Sequence, residues 1–537
     1  MKRNDRTALS AFLRILPWIV TLLAAAAVGY YILFPGWGYF HSDCTDTILW
    51  AQASYDAGSL FNPDFEYACL LPFGGQLLML PFIGLFGVST TTHAIGMLLF
   101  LLLFTASLLL LGRALKWTPG WSAALAALTL LLLSSSDKLR EIFWGHIIYY
   151  SLGILFLIVG LGLTLSALSA LEERNGPLGK KAIAWIAGSA VWMFLCSTNG
   201  LQAMTIFAIP LLAGLAGERF FDTRRKWADP WNRTVFLFAV LLAASAGIGW
   251  VTGGLLERGL TQGYFDAYSN FSPPDKWMDN LMSFLPAWLT LLGADVRDGA
   301  PLTDGEGLLN LIRIGFGLIL LAVPVAMTVC YRRFSQRGVR ILLIAHWTMT
   351  ALILMAYVFG YLSSANWRLS PILASSILLL VVFSHWIATE AGFPRFCLLT
   401  LGPAALAALI ALSAVLGMPH DYGRQDGLPA LAQYLEDSGL SYGYATFWNS
   451  QAITVLSDSA VKVRNINLDE DGGISIYGYQ SNRQWFEPQE GQEQYFLLLT
   501  QYEYDQLDVA AHPELEGQET LEYNDYRIVL LEECPFA

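Results

Sequence analysis

Apolar runs of about 20 residues, the length that crosses a bilayer, recur along most of the chain and then stop. Eleven spans are expected, near 11–34, 92–112, 119–136, 147–171, 181–198, 201–216, 234–253, 308–330, 341–361, 371–389 and 396–417. The first follows MKRNDR, shows no small-residue cleavage site after it, and reads as a retained helix. A further apolar stretch, PFGGQLLMLPFIGLFG at 72–87, is short and broken by Pro and Gly. It is expected to lie at the outer surface or dip into it. After residue 417 the pattern changes. DGLPALAQYLEDSGL has the period of an amphipathic helix, whereas GYATF, VKVRNI, QYFLLLT and YRIVLLEE read as strands. The expected architecture is a polytopic α-helical membrane body, 1–417, followed by a small α/β domain, 418–537.

Composition supports that division. Of 537 residues 55% are hydrophobic and 14% charged, too apolar for a soluble chain of this length. Six connections (MKRNDR, GRALKW, EERNGPLGKK, GERFFDTRRKWADPWNR, YRRFSQRGVR and EAGFPR) hold 18 Lys/Arg. The intervening segments 35–91, 137–146, 199–200, 254–307 and 362–370 hold 6 Lys/Arg against 15 Asp/Glu. The positive-inside rule places the first set, and the N-terminus, in the cytoplasm. An odd number of spans then puts the tail outside. That tail carries 21 Asp/Glu against 5 Lys/Arg, a net of −16, which leaves +4 for the body out of a total of −12. No soluble region has a basic stripe, so nucleic acid is excluded as a partner. The six cysteines make no framework and no zinc spacing, although Cys44 and Cys69 share one outer loop where a disulfide is reachable. No internal repeat is visible.

The outer segments hold the unusual residues. The stretch HSDCTDTILWAQASYDAGSLFNP, 41–63, presents Asp43 just past the first span, with Asp46 one turn on if the chain is helical. A partly desolvated carboxylate there has the proton affinity of a general base. The plainer account is that Ser42 or Asp43 caps a helix beginning at Thr45. SSSDKLREIFWGH puts Lys138 and Arg140 on a side that otherwise excludes cations. They suit an anionic ligand such as a lipid-linked phosphate, or pair locally with Asp137 and Glu141. His146 is a proton donor or a hydrogen-bonded interfacial residue. Arg368, in SSANWRLSP, either snorkels toward headgroups or binds phosphate. Tyr264 lies in the long 254–307 segment.

The order of these elements resembles the GT-C glycosyltransferases, with protein O-mannosyltransferases and aminoarabinose transferases nearest in layout. The matching series is Asp43, then TILWAQASYDAG ending at Gly58, Pro63, and LPFIGLFG ending at Gly87. Tyr149 and Tyr150 fall where such proteins carry a second outer-loop motif. WRLSP, ending Arg368 to Pro371, looks like a divergent "RY..P" element, with Leu369 in place of Tyr. Cys44 stands where the family often has a second acid. The resemblance covers nearly the whole chain. It implies a GT-C type membrane protein that moves a sugar from a polyprenyl-phosphate donor, with inversion, to a saccharide, lipid or protein acceptor. Asp43, Asp46 and Glu141 become the candidate catalytic acids. Lys138, Arg140 and Arg368 would hold the departing phosphate. Trp50, Tyr55, Trp144, His146 and Tyr264 are the candidate substrate contacts. The resemblance implies no cofactor, although some relatives use a divalent metal. ECPFA shows no eukaryotic retention signal, and a bacterial plasma membrane, with its lipids as partners, is the expected location. The competing readings are a flippase for lipid-linked saccharide and an inactive scaffold. Spans nearly free of ionisable residues, with no repeated halves, weigh against the flippase.

Overall fold

The computed structural model describes residues 3–536 apart from 174–177, 222–228, 262–269, 298, 300–301, 470–471, 509–511 and 513–514. Tyr264 therefore lies outside the described residues. The helices of the first half are α1 (Arg3–Leu33), α2 (Asp46–Ala57), α3 (Gln76–Phe86), α4 (Thr90–Ala114), α5 (Pro119–Leu132), α6 (Asp137–Arg140) and α7 (Tyr149–Glu172). They are followed by α8 (Lys180–Ser197), α9 (Gly200–Phe221), α10 (Pro230–Leu256) and α11 (Trp277–Leu291). The body closes with α12 (Gly305–Val329), α13 (Arg337–Phe359), α14 (Ser370–Thr389) and α15 (Leu398–Gly417).

Among the described residues nine helices are long and apolar enough to cross a membrane, or ten if a bent pair counts as one span. This is fewer than the eleven expected, for two physical reasons. The segment expected at 119–136 breaks after Leu132, and the chain turns by 116° into Asp137–Gly145. Serines at the break account for it: Ser136 caps α6 by accepting from Leu139 N, and Ser134 O accepts from Arg140. The helix α8 has the expected bounds, but Lys180 and Lys181 in its first turn dilute its apolar window. The loop after α1 and the tail pack together at one end of the body, as shown below.

Burial ranks the spans. α14 and α7 are the most enclosed, 78% and 72% buried along their apolar windows, whereas α10 and α12 are 28% buried. A helix apolar on all sides belongs at the centre of a bundle. The N-terminal ends of the two central helices are Tyr149 and Ser370, which abut two of the expected motifs. The 72–87 stretch forms the short helix α3. It buries Gln76, Met79 and Ile83 and exposes Leu85 and Phe86. Its entry is set by Gly75, where a Cβ would come within 2.5 Å of Ile147 O, so the loop is pressed against the segment before α7.

The tail is a mixed sheet of six strands in the order β4-β3-β2-β6-β8-β7. The strands are β2 (Tyr442–Thr446), β3 (Lys462–Leu468), β4 (Ile474–Ile476), β6 (Tyr495–Thr500), β7 (Thr520–Tyr523) and β8 (Tyr526–Leu531). β2 runs parallel to both β3 and β6, and the remaining pairs are antiparallel. One further pairing ties the tail to the body: β1 (Phe65–Glu66) of the first loop joins β5 (Ser481–Asn482) antiparallel.

Candidate active site

The site starts from the exit of α1. A 3-10 turn, Pro35–Tyr39, carries the chain off the helix, and a second, Ser42–Thr45, delivers it to α2. No side chain caps α2. Ser42 Oγ donates to Phe447 O of the tail at 2.5 Å, and Thr45 Oγ1 donates to Ser42 O at 2.6 Å. The capping account of Ser42 and Asp43 therefore does not hold, and the Asp43 carboxylate is not tied into a helix start. It sits half-buried among His41, Glu141 and Lys138. Burial raises its proton affinity above the usual carboxylate range; Glu141 adds to this, while His41 and Lys138 oppose it.

The segment between α5 and α7 supplies the neighbours. Glu141 opens a single π turn, Glu141–Gly145, of the kind that often marks a functional site. Its Oε2 lies 3.5 Å from His41 Nε2 and 2.5 Å from Lys138 Nζ. Burial would raise Glu141, but His41, His146 and Lys138 hold it down at about 2, so it is a carboxylate throughout the useful pH range. Cys44 and then Glu141 raise the His41 imidazole well above its ordinary value against the effect of burial. Lys138 also sits over the Trp367 ring, 4.6 Å from its centroid, which joins this loop to the segment before α14.

The expected residues divide. Asp43, Glu141 and Lys138 are assembled together. Arg140 is not with them: it is buried, pairs with Asp137, donates to Ser134 O at 2.9 Å and stands over the Tyr31 ring. The local-pairing account thus describes Arg140 fully and Lys138 in part. Arg368 lies on a 3-10 turn, Asn366–Leu369, just before α14, and donates from Nη1 to Tyr361 O at 2.6 Å and Ser364 Oγ at 2.9 Å. It walls a cleft of about 460 Å³ together with Tyr149, Tyr150, Leu352, Phe359 and Pro371. Trp144 is packed among Phe100, Phe104 and Phe143, with its Nε1 on Ser134 Oγ at 2.9 Å. It is a core residue, as is the buried Trp50. His146 is enclosed, and burial lowers it to about 3, so it is neutral. Tyr55 is exposed beside Gly84 of α3. Cys44 and Cys69 are both buried and free, so the disulfide is not made. No group of three or more His, Cys, Asp or Glu among the described residues is placed to hold a metal ion.

Asp46 has a different role from Asp43. It is buried, and its Oδ1 accepts from Gln480 Nε2 at 2.7 Å. Gln480 Oε1 in turn accepts from Trp50 Nε1 at 2.7 Å. Asp46, Gln480 and Trp50 thus form one relay that fastens α2 to the tail. Burial first, and then Asp43, raise Asp46 well above its ordinary value, with the Gln480 hydrogen bond opposing. The native state therefore favours protonated Asp46. Stability is fullest below the ordinary carboxylate pKa and falls as pH rises toward the raised folded value. The Asp46→Asn variant keeps an oxygen for Gln480 and carries no charge. Its Tm at about pH 8 is expected to match or exceed that of the unmodified protein, with a smaller fall between about pH 5 and pH 8. A variant Tm several degrees lower at the upper pH would mean that the fold needs the charged form.

Sequence reasoning missed His41, Gln480 and the part played by Trp367. His41 could have been noticed as the titratable residue nearest Asp43. Nothing local points to Gln480, which lies 434 residues from its partner.

No protein-family model and no curated protein matches the chain. Solved structures do. The apo structure of ArnT from Cupriavidus metallidurans superposes with a TM-score of 0.56 at 14% identity, covering 99% of each chain. The structure of the same protein bound to undecaprenyl phosphate gives a TM-score of 0.51 at 12% identity, over 96% of this chain and 97% of that one. The likeness shows the fold alone: a polytopic helical membrane protein with a C-terminal mixed-sheet domain, arranged as in ArnT.

Proposed function

We propose that this multi-pass membrane protein is a glycosyltransferase that moves a sugar from a polyprenyl-phosphate donor to an acceptor outside the cytoplasm. One observation carries the reading. The Arg368 cleft has a mostly apolar wall that includes Arg368, and the neighbouring Trp367 lies under Lys138, whose charge acts on the Asp43 carboxylate. A long prenyl chain fits the apolar wall, and a phosphate fits beside Arg368 and Lys138. ArnT, whose fold this chain shares, has been solved with undecaprenyl phosphate bound.

In the proposed reaction Asp43 accepts the proton of an acceptor hydroxyl. The acceptor oxygen forms a bond to the anomeric carbon as the bond from that carbon to the phosphate oxygen breaks, and the electron pair leaves with the lipid phosphate. Lys138 and Arg368 stabilise the charge that develops there. A single displacement inverts the anomeric centre. Glu141 keeps Lys138 and His41 in place, and Asp46 holds the loop to the tail. The test is transfer of radiolabel from a panel of polyprenyl-phosphate sugars by the full chain and by Asp43→Asn. No transfer from any donor, with translocation of labelled lipid instead, would replace this reading by the flippase.

The lipid-borne donor also accounts for the outer location, because nucleotide sugars do not reach that face. The loop charge balance places Asp43 and the tail there together. A reporter fused after Ala537 should be active only outside the cytoplasm, and activity inside would reverse the orientation.

A further inference from the structure

The site has a wall made by the tail. Phe447, Trp448, Tyr477 and Tyr479 form one aromatic cluster beside His41. The Trp448 ring centroid is 6.0 Å from His41 and 5.1 Å from Phe447. Phe447 is 5.5 Å from Tyr479, and Tyr479 stacks on Tyr477 at 5.5 Å and 21°. Burial, Glu66 and Asp43 together raise the Tyr477 phenol, which places that hydroxyl within the field of Asp43.

Two features separate this cluster from ordinary packing. Phe447, Trp448 and Tyr477 belong to none of the buried cores, and Trp448 is 58% exposed. The backbone beneath is nevertheless held on several sides. Phe447 O accepts from Ser42 Oγ at 2.5 Å, and Tyr479 O accepts from Asn465 Nδ2 at 2.6 Å. Tyr477 N donates to Asn465 O at 3.2 Å, and Gln480 N donates to Glu66 O at 2.9 Å. The result is a rigid, wet aromatic surface anchored to the loop that carries Asp43. Contacts run from Trp448 through His41, Glu141 and Lys138 to Trp367 at the Arg368 cleft. One end of that path is apolar and cationic. The other is aromatic, with the Trp448 ring exposed.

We infer that the tail aromatics bind the acceptor and that the acceptor is a saccharide, one ring lying on Trp448 with a hydroxyl toward Asp43. The inference rests on the glycosyl-transfer reading and assigns its acceptor. A pyranose offers an apolar C–H face for the indole and hydroxyls for the His41 and Tyr477 polar atoms. An acyl chain uses neither, and interfacial anchoring alone does not require the clamps on Phe447 and Tyr479.

The test is saturation-transfer NMR on the full chain in nanodiscs with chitotriose, mannotriose and maltotriose. At least one trisaccharide should bind, and W448A should weaken it by roughly tenfold or more, the size of one stacking contact. W448F should retain most of the affinity, and because Trp448 is exposed neither variant should lose the fold. With a working acceptor, W448A should raise the acceptor KM and leave the donor KM unchanged. The inference is overturned if no trisaccharide binds, if binding is equal in W448A, or if a hydroxyl-bearing peptide binds through Trp448 instead. Persistent transfer in Asp43→Asn would sink the assigned base, and the Trp448 measurements would still decide the acceptor site.

Discussion

Replacing Asp43 with Asn is expected to lower kcat for sugar transfer by roughly 10²–10⁴-fold, the range for a lost general base, with donor affinity nearly unchanged. The side chain keeps its size, and no helix cap is lost because none is made there. What disappears is the proton acceptor. The pH profile supplies an independent check. Burial raises Asp43, so its active, ionised form is depleted as pH falls through a value above the usual carboxylate range. The acid limb of kcat/KM should therefore lie higher than an exposed Asp would place it. Removing the nearby cation with Lys138→Met should move the limb higher still, because Lys138 is one of the two groups that lower Asp43. Full activity in Asp43→Asn, with loss in Asp46→Asn, would transfer the role of base to Asp46.

Arg368→Ala is the second large effect. The guanidinium is buried at the cleft wall and already oriented by Tyr361 O and Ser364 Oγ, so little ordering remains to be done on binding phosphate. Losing a charge-assisted contact worth about 1.5–3 kcal/mol should raise the donor KM by about 10–100-fold. Arg368→Lys should fall between, because the charge remains while the planar fork is lost. The same truncation also removes the support that Arg368 gives to the Tyr361–Ser364 turn. Polyprenyl phosphate binding, followed by the stability it confers on the unmodified protein and on Arg368→Lys, separates the two effects. Equal ligand stabilisation in both variants and the unmodified protein would remove Arg368 from the phosphate site.

The helical body was legible because a bilayer imposes a length and an apolarity that each span must meet alone. Eleven segments were expected, and each lies on a helix. The two that fall short, α5 and α8, do so through Ser134–Ser136 and Lys180–Lys181, where local polar chemistry interrupts the apolar run. The tail strands were legible for a similar reason, since short apolar runs such as GYATF and YRIVLLEE are local signals.

The site was legible only in part. The sequence by itself determined that charge collects in the loops between the apolar runs, because it is costly in the spans, and that Asp43, Asp46, Lys138 and Arg140 lie in two of those loops. It put Asp43 first and kept Asp46, one turn on, as the alternative base, and it grouped Lys138 with Arg140. Tertiary structure separated each pair. Asp46 turns to Gln480, whereas Asp43 makes no such bond and lies in the field of His41, Glu141 and Lys138, and Arg140 turns to Asp137 and Tyr31. The deciding partners, Gln480, Phe447 and Trp367, come from positions hundreds of residues away in sequence. Neither hydrophobic periodicity nor motif spacing carries information across that distance. Packing of the tail onto the first loop brings in Gln480 and Phe447, and packing within the body brings Trp367 to Lys138.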